Sequence, residues 1–155
     1  MNVGRFSLPK PFVNALESGL FQRKRGSWEL KRNTDAFGNR LETEIADVYC
    51  SVAAILEAGK ENKEDFPIDE HHGVSQVVPD ESGAVADVTD FDAVVEFATS
   101  ADGSPFCFDF RTDPDNPSVV WWNDWYWRRV APDFDSFIAL FNFSSGEMDG
   151  ETSGN

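Results

Sequence analysis

The stretch Ser118–Val130, SVVWWNDWYWRRV, holds four of the five tryptophans in the chain. A polar pair, Asn123-Asp124, separates two apolar runs, which predicts a β-hairpin. A two-residue turn there would oppose Trp122 with Trp125, Trp121 with Tyr126, and Val120 with Trp127. Opposed residues share a face of the sheet. One face then carries Val120, Trp122, Trp125 and Trp127, and the other Val119, Trp121, Tyr126 and Val130, with Arg128. Both faces are largely apolar. Such a sheet is covered on both sides, or is covered on one and meets a partner with the other. A platform for stacking nucleotides would need interleaved cations, and only Arg128 and Arg129 are near. Core packing is therefore expected for most of these rings. Whether Trp122 and Trp125, beside the turn, face the core or a partner stays open.

The segments before the hairpin extend the same sheet. FDAVVEFATS (91–100) and SPFCFDFR (104–111) flank Ala101-Asp102-Gly103, a second hairpin signal. Along the second of these strands Phe106, Phe108 and Phe110 point one way, and Cys107, Asp109 and Arg111 the other. TDPDNP (112–117) reads as a loop. After the aromatic stretch, APDFDSFIALFNF predicts a helix capped by Asp133. Its Phe134, Phe137, Ile138 and Phe141 fall at i, i+3, i+4 and i+7, one buried stripe.

Towards the N-terminus, LPKPFVNALESG (8–19) predicts a helix with prolines in its first turn and Phe12 and Leu16 on one face, closed by Gly19. QRKRGSWELKRN is a basic segment with strand character at Trp28 and Leu30. FGNRLETE reads as a turn and an exposed segment. DVYCSVAAILEAGKENKED places Val48, Val52, Ile55 and Leu56 on a helix expected to close near Gly59, leaving 60–65 as a solvated run. A short strand and turn are expected over 73–83. Residues 144–155 are polar and rich in Gly and Ser, and a disordered tail is expected there, after a domain spanning 1–143. The order of elements implies an α+β fold with a mainly antiparallel sheet.

With 155 residues, 41% hydrophobic and 14% aromatic, the chain has the composition of one packed domain. No apolar run reaches 18 residues and no leader sequence is read at the N-terminus, so a cytoplasmic protein with Cys50 and Cys107 as buried thiols is expected. The net charge is −15, but residues 1–40 carry +5 and residues 41–155 carry −20. Nucleic acid would be repelled by the larger part, whereas a basic protein would be drawn to it. The common catalytic motifs are absent. His71 and His72 are adjacent, which turns their rings apart in an extended chain and disfavours a metal pair. Asp109, Asp113 and Asp115 do not make a calcium loop, since Pro114 and the missing loop glycine do not match one, and a surface acidic loop is expected. No cofactor, no metal and no catalytic residue is expected, and Asp109 with Arg111 reads as a structural ion pair.

FATSADGSPFCFDFRTDPDNPSVVWWNDWYWRRVAPDFDSFIALF (97–141) resembles the C-terminal half of the SUKH superfamily, in its Smi/Knr-type branch. It has the glycine-containing turn, the aromatic strand ending in an acid, the Pro-x-Val strand leading to Trp and Asp, and an AxxFxxF helix, in that order. FSLPKPFVNALESG (6–19) is similar to the opening helix of that family, and SVAAILEA (51–58) to its middle one. The resemblance implies an α+β fold, a twisted sheet flanked by helices, and no enzymatic activity. It also implies a bacterial immunity protein that binds a toxin domain, many such toxins being nucleases, or alternatively a regulatory adaptor that binds another protein. A monomer or weak homodimer, bound by neither nucleic acid nor membrane, is expected. Asp102, Asp113, Asp115, Asp124 and Trp125 are the expected partner-binding residues: acidic loop positions, thought to gather at one region of the sheet, beside an aromatic anchor.

Overall fold

The computed structural model describes residues 1–22, 27–65, 83–86, 88, 91–123 and 126–143. Arg23, Lys24, Arg25 and Gly26 of the basic segment, most of the strand and turn expected over 73–83, His71, His72, Asp124, Trp125 and the tail 144–155 lie outside the described residues.

The chain opens with a small hairpin, β1 (Asn2–Val3) and β2 (Phe6–Ser7), and then helix α1 (Lys10–Glu17). Pro9 caps α1 and Pro11 occupies its first turn, where a missing N–H costs nothing. Gly19 follows with φ +75°, closing the helix as expected. The main sheet has six strands, each antiparallel to its neighbour in sequence order: β3 (Trp28–Glu29), β4 (Glu44–Val48), β5 (Val94–Ser100), β6 (Pro105–Asp109), β7 (Ser118–Trp122) and β8 (Trp127–Ala131). Helix α2 (Val52–Asp65) lies between β4 and β5, and α3 (Phe134–Ile138) follows β8. The α+β class and the antiparallel sheet are as the sequence implied.

The aromatic hairpin forms, but with another register. Trp122 opposes Trp127 and Trp121 opposes Arg128, so the loop is four residues, 123–126. Asn123 closes it: its Oδ1 accepts from the Tyr126 N–H at 2.8 Å, and its N–H donates to the Tyr126 carbonyl at 3.2 Å. The expected partner of Trp122 was Trp125, two residues away. An even slip keeps every side chain on its own face, so the faces hold where the pairs do not. Val119, Trp121 and Val130 enter the main core, and Val120, Trp122 and Trp127 enter a second cluster with Cys107 on the other side.

The main core is built from phenylalanines. Phe97 and Phe108, opposed strands' neighbours, stack at 4.1 Å. Phe12 from α1 meets both rings edge-on, at 5.5 and 5.2 Å, and Phe134 from α3 at 5.3 Å. Asp133 caps α3 by accepting from the Ser136 N–H at 2.8 Å. The opposite face of β5–β8 is covered by Val88 and Phe91, packed on Val94, Cys107, Val120 and Trp127.

Two expectations need correction around α2. The segment before it is a strand: β4 pairs with β5, and a register shift between Ile45 and Asp47 turns both Ile45 and Val48 inward. Val48, expected on the helix with Val52 four residues on, is the last residue of the strand. The helix itself passes through Gly59 and continues to Asp65: Lys60, Glu61, Lys63 and Glu64 are good helix formers, and tertiary bonds hold the segment against the sheet. Asn62 is buried and donates to Glu96 Oε1 at 2.8 Å, and Lys63 reaches Asp92 at 2.9 Å. Leu56, expected in the buried stripe, is 48% exposed. Cys50 is exposed, and only Cys107 is the buried thiol expected of both.

Both sheet edges are occupied by other chain. Beyond β3, Asn142 N–H donates to the Glu29 carbonyl at 2.9 Å and Lys31 N–H to the Leu140 carbonyl at 2.8 Å. Beyond β8, Arg129 N–H donates to the Gly83 carbonyl at 2.7 Å and Val85 N–H to the Trp127 carbonyl at 3.0 Å. Gly83 has φ +79°, and a Cβ there would lie 3.0 Å from the Arg129 carbonyl oxygen, so the close approach requires glycine. The loop after β3 also reaches β8. Ala36 N–H bonds the Val130 carbonyl at 3.0 Å, and Asp35 is buried against Arg128, carboxylate to guanidinium at 2.7 Å. The same carboxylate accepts from the N–H groups of Phe37 and Asn39, at 2.8 and 3.0 Å.

Asp35→Ala is expected to lower unfolding free energy by about 3–5 kcal/mol, since it leaves Arg128 buried and unpaired. Adding Arg128→Met should restore much of that loss. Urea unfolding of the two variants measures both effects.

Candidate protein-binding site

The antiparallel order brings the 101–103 turn and the end of β7 to one end of the sheet. There, with Tyr49 after β4 and Glu61 and Asn62 of α2, they enclose a recess of about 250 Å³. Its lining carries three carboxylates, Glu61, Glu96 and Asp102, and no Lys or Arg. Trp122 forms one wall, half-buried, its ring 5.4 Å from Trp127.

Glu96 is the one acid of β5, flanked by Val95 and Phe97, and is 6% exposed. It opposes Cys107. A carboxylate can be kept there because both oxygens are met: Tyr49 Oη donates to Oε2 at 2.9 Å and Asn62 Nδ2 to Oε1 at 2.8 Å. The charge acts back on its surroundings. Burial, and then the Glu96 carboxylate, hold the Tyr49 phenol well above its ordinary range. Burial, with Glu96 adding to it, pushes the Cys107 thiol up as well. Asp102 sits at the tip of the β5–β6 hairpin, where Gly103 has φ +89°. The Ser100 hydroxyl and the Ser104 N–H donate to its carboxylate, and the Ser100 bond chiefly lowers its pKa. The recess therefore presents fixed negative charge and acceptor oxygens beside a flat aromatic wall. That suits an ammonium or guanidinium group.

Of the expected partner-binding residues, the structure brings Asp102 to this recess. Asp124 and Trp125 are outside the described residues. Asp113 and Asp115 are at the opposite end of β6, about 17 Å away for five residues of strand, so the expected residues do not share one region. Asp113 forms a turn, accepting from the N–H groups of Asp115 and Asn116, both at 3.1 Å. Asp109 and Arg111 form the structural pair expected, at 2.9 Å, and Arg111 also donates to the Ala86 carbonyl at 3.2 Å. Among the described residues no group of three or more His, Cys, Asp and Glu is placed to hold a metal, and no helix is long and apolar enough to cross a membrane.

Sequence reasoning missed Tyr49, Glu61, Asn62 and Glu96. Glu96 alone left a signal, an acid inside VVEFATS. Trp122, left open between core and partner, packs on Trp127 and also walls the recess.

These features define an α+β domain whose antiparallel sheet is clad on both faces and opens an acidic, aromatic-walled recess at one end. A profile of the SMI1 / KNR4 family (SUKH-1) matches residues 28–140, and the chain belongs to that family. The match begins at the first residue of β3, so α1 lies outside it although Phe12 fills the core. Neither the curated proteins nor the solved structures include a match to the chain.

The Tyr49 phenol bonds Glu96 only while protonated. Its folded pKa is raised, so the stability it adds is full below the ordinary phenol value near 10 and is lost as pH rises beyond it. Tyr49→Phe should lower the melting temperature at neutral pH and narrow its gap to the native protein under alkaline conditions. Melting curves of the two chains across pH test this.

Proposed function

We propose that the protein is a cytoplasmic immunity protein that binds a basic toxin domain and blocks it by occupation, without catalysis. The observation that carries this reading is the recess: Glu61, Glu96 and Asp102 around Trp122, with no cation in its lining. An Arg or Lys of the toxin enters it, its charge meeting the carboxylates and its stem lying on the indole. Membership of the SMI1 / KNR4 family (SUKH-1) supports a protein-binding role, consistent with immunity or regulation. The charge of −20 over residues 41–155 supports a basic partner. A nuclease toxin, which needs a basic surface to hold phosphate, is a partner of this kind. The occupied edges of the sheet support binding through side chains at the loop end rather than by strand addition.

Isothermal titration against the folded toxin domain encoded by the adjacent gene is expected to show a one-to-one complex that loosens steeply with salt. Asp102→Lys and Glu61→Lys should each weaken it at least about tenfold, about 1.4 kcal/mol. No heat at low salt, or unchanged affinity in both variants, would contradict the proposal.

A further inference from the structure

A second concavity lies between the β1–β2 hairpin, α2 and β5, with a volume of about 570 Å³. That is the size of small-molecule sites, roughly 300–1,000 Å³. Its floor is apolar: Val3, Ile55, Phe91 and Val95, all buried. Leu56 stands exposed at its rim.

One residue in the wall has no structural explanation other than the space itself. Gly59 sits inside α2, where glycine weakens a helix relative to alanine. It does not take a left-handed φ, and a Cβ built on it meets nothing within 4 Å. Neither backbone conformation nor close packing requires glycine there. What the missing side chain does is keep the groove open. Leu56, Gly59, Lys60 and Lys63 fall at i, i+3, i+4 and i+7, one stripe of the helix turned to the groove.

The charge of the rim is also unlike the rest of the molecule. Arg5, Lys60 and Lys63 line the groove with Asp92 and Glu96. Lys63 answers Asp92 at 2.9 Å, and Glu96 is bonded by Tyr49 and Asn62. Three cations against two carboxylates leave the lining an excess of one positive charge in a chain of net charge −15, and the exposed Lys60 also has Glu57 at 4.0 Å. Arg5 lies with its guanidinium 4.7 Å from the Phe6 ring centre.

We propose that this groove binds a single-chain amphiphile with an anionic head, of the medium-chain carboxylate class. The tail lies on Val3, Ile55, Phe91 and Val95, passing over Gly59, and the carboxylate meets Lys60 and Arg5. The groove adjoins the acidic recess at Glu96, but its walls and charge differ, and the inference does not rest on the protein-binding reading.

The test is calorimetric titration of the full chain with octanoate, decanoate and dodecanoate below their micelle-forming concentrations. Dodecyltrimethylammonium serves as the probe of reversed charge. Saturable one-to-one binding is expected, tightening about two- to fourfold per added methylene, with the cationic probe at least about tenfold weaker. Gly59→Leu, which fills the groove, and Lys60→Glu, which reverses a rim charge, should each weaken dodecanoate at least about tenfold without lowering the melting temperature. If Gly59→Leu melts early, Lys60→Glu decides. Absence of saturable binding, equal affinity for the cationic probe, or unchanged affinity in the folded variants would overturn the proposal.

Discussion

The strands β5 to β8 are apolar on both faces, and the architecture follows from having to cover both. On one side the cover is aromatic and helical. Phe12 and Phe134 close on the stacked pair Phe97 and Phe108, and edge-to-face contacts of this kind add to the area they bury. On the other side Val88 and Phe91 lie over Cys107, Val120 and Trp127, while α2 packs against β5 through Asn62 and Glu96. Two concavities flank that second cover, one acidic and one apolar with a basic rim.

A sheet buried on both faces still has two edges, and here each is spent within the chain. Residues 140–142 follow β3, and residues 83–85 follow β8. The Asp35–Arg128 pair joins the loop after β3 to the last strand. In a low dielectric such a pair is a weak source of net stability, but its geometry is specific, and it holds the ends of a curled sheet in fixed relation. At the turn end Ser100, Asp102 and Ser104 bond one another around Gly103. Side chains held by such bonds lose less conformational entropy when a group docks against them.

The fold was legible where periodicity was clean. Phe106 and Phe108 alternate with Cys107 and Asp109 along the strand expected, and Phe134 and Phe137 lie on the helix expected, but that helix ends at Ile138 and Phe141 is buried beyond it in a bridge to Leu30. It failed where a chance spacing imitates another period. Val48 precedes Val52 by four, the spacing of a helix, yet it is the last residue of β4. Gly59 looked like a helix end, and no local rule tells an interior glycine from a closing one. The candidate site was less legible because it is tertiary. Tyr49, Asn62 and Glu96 come from three segments, and nothing in the sequence announces that a phenol and an amide will meet one buried carboxylate. Asp102 was found because a hairpin tip is local. Asp113 and Asp115 were grouped with it by residue type, and the strand direction separates them.

The central claim is that the loop end around the acidic recess receives a cationic group of a protein partner. Amide hydrogen exchange of the chain with and without the proposed partner, the toxin domain encoded by the adjacent gene, tests it most directly. The account predicts new protection at Tyr49, at Thr99–Ser104 and at Trp122, with the loop 111–116 exchanging as in the free protein. Protection confined to 111–116, or a complex that leaves Thr99–Ser104 unchanged, would contradict it.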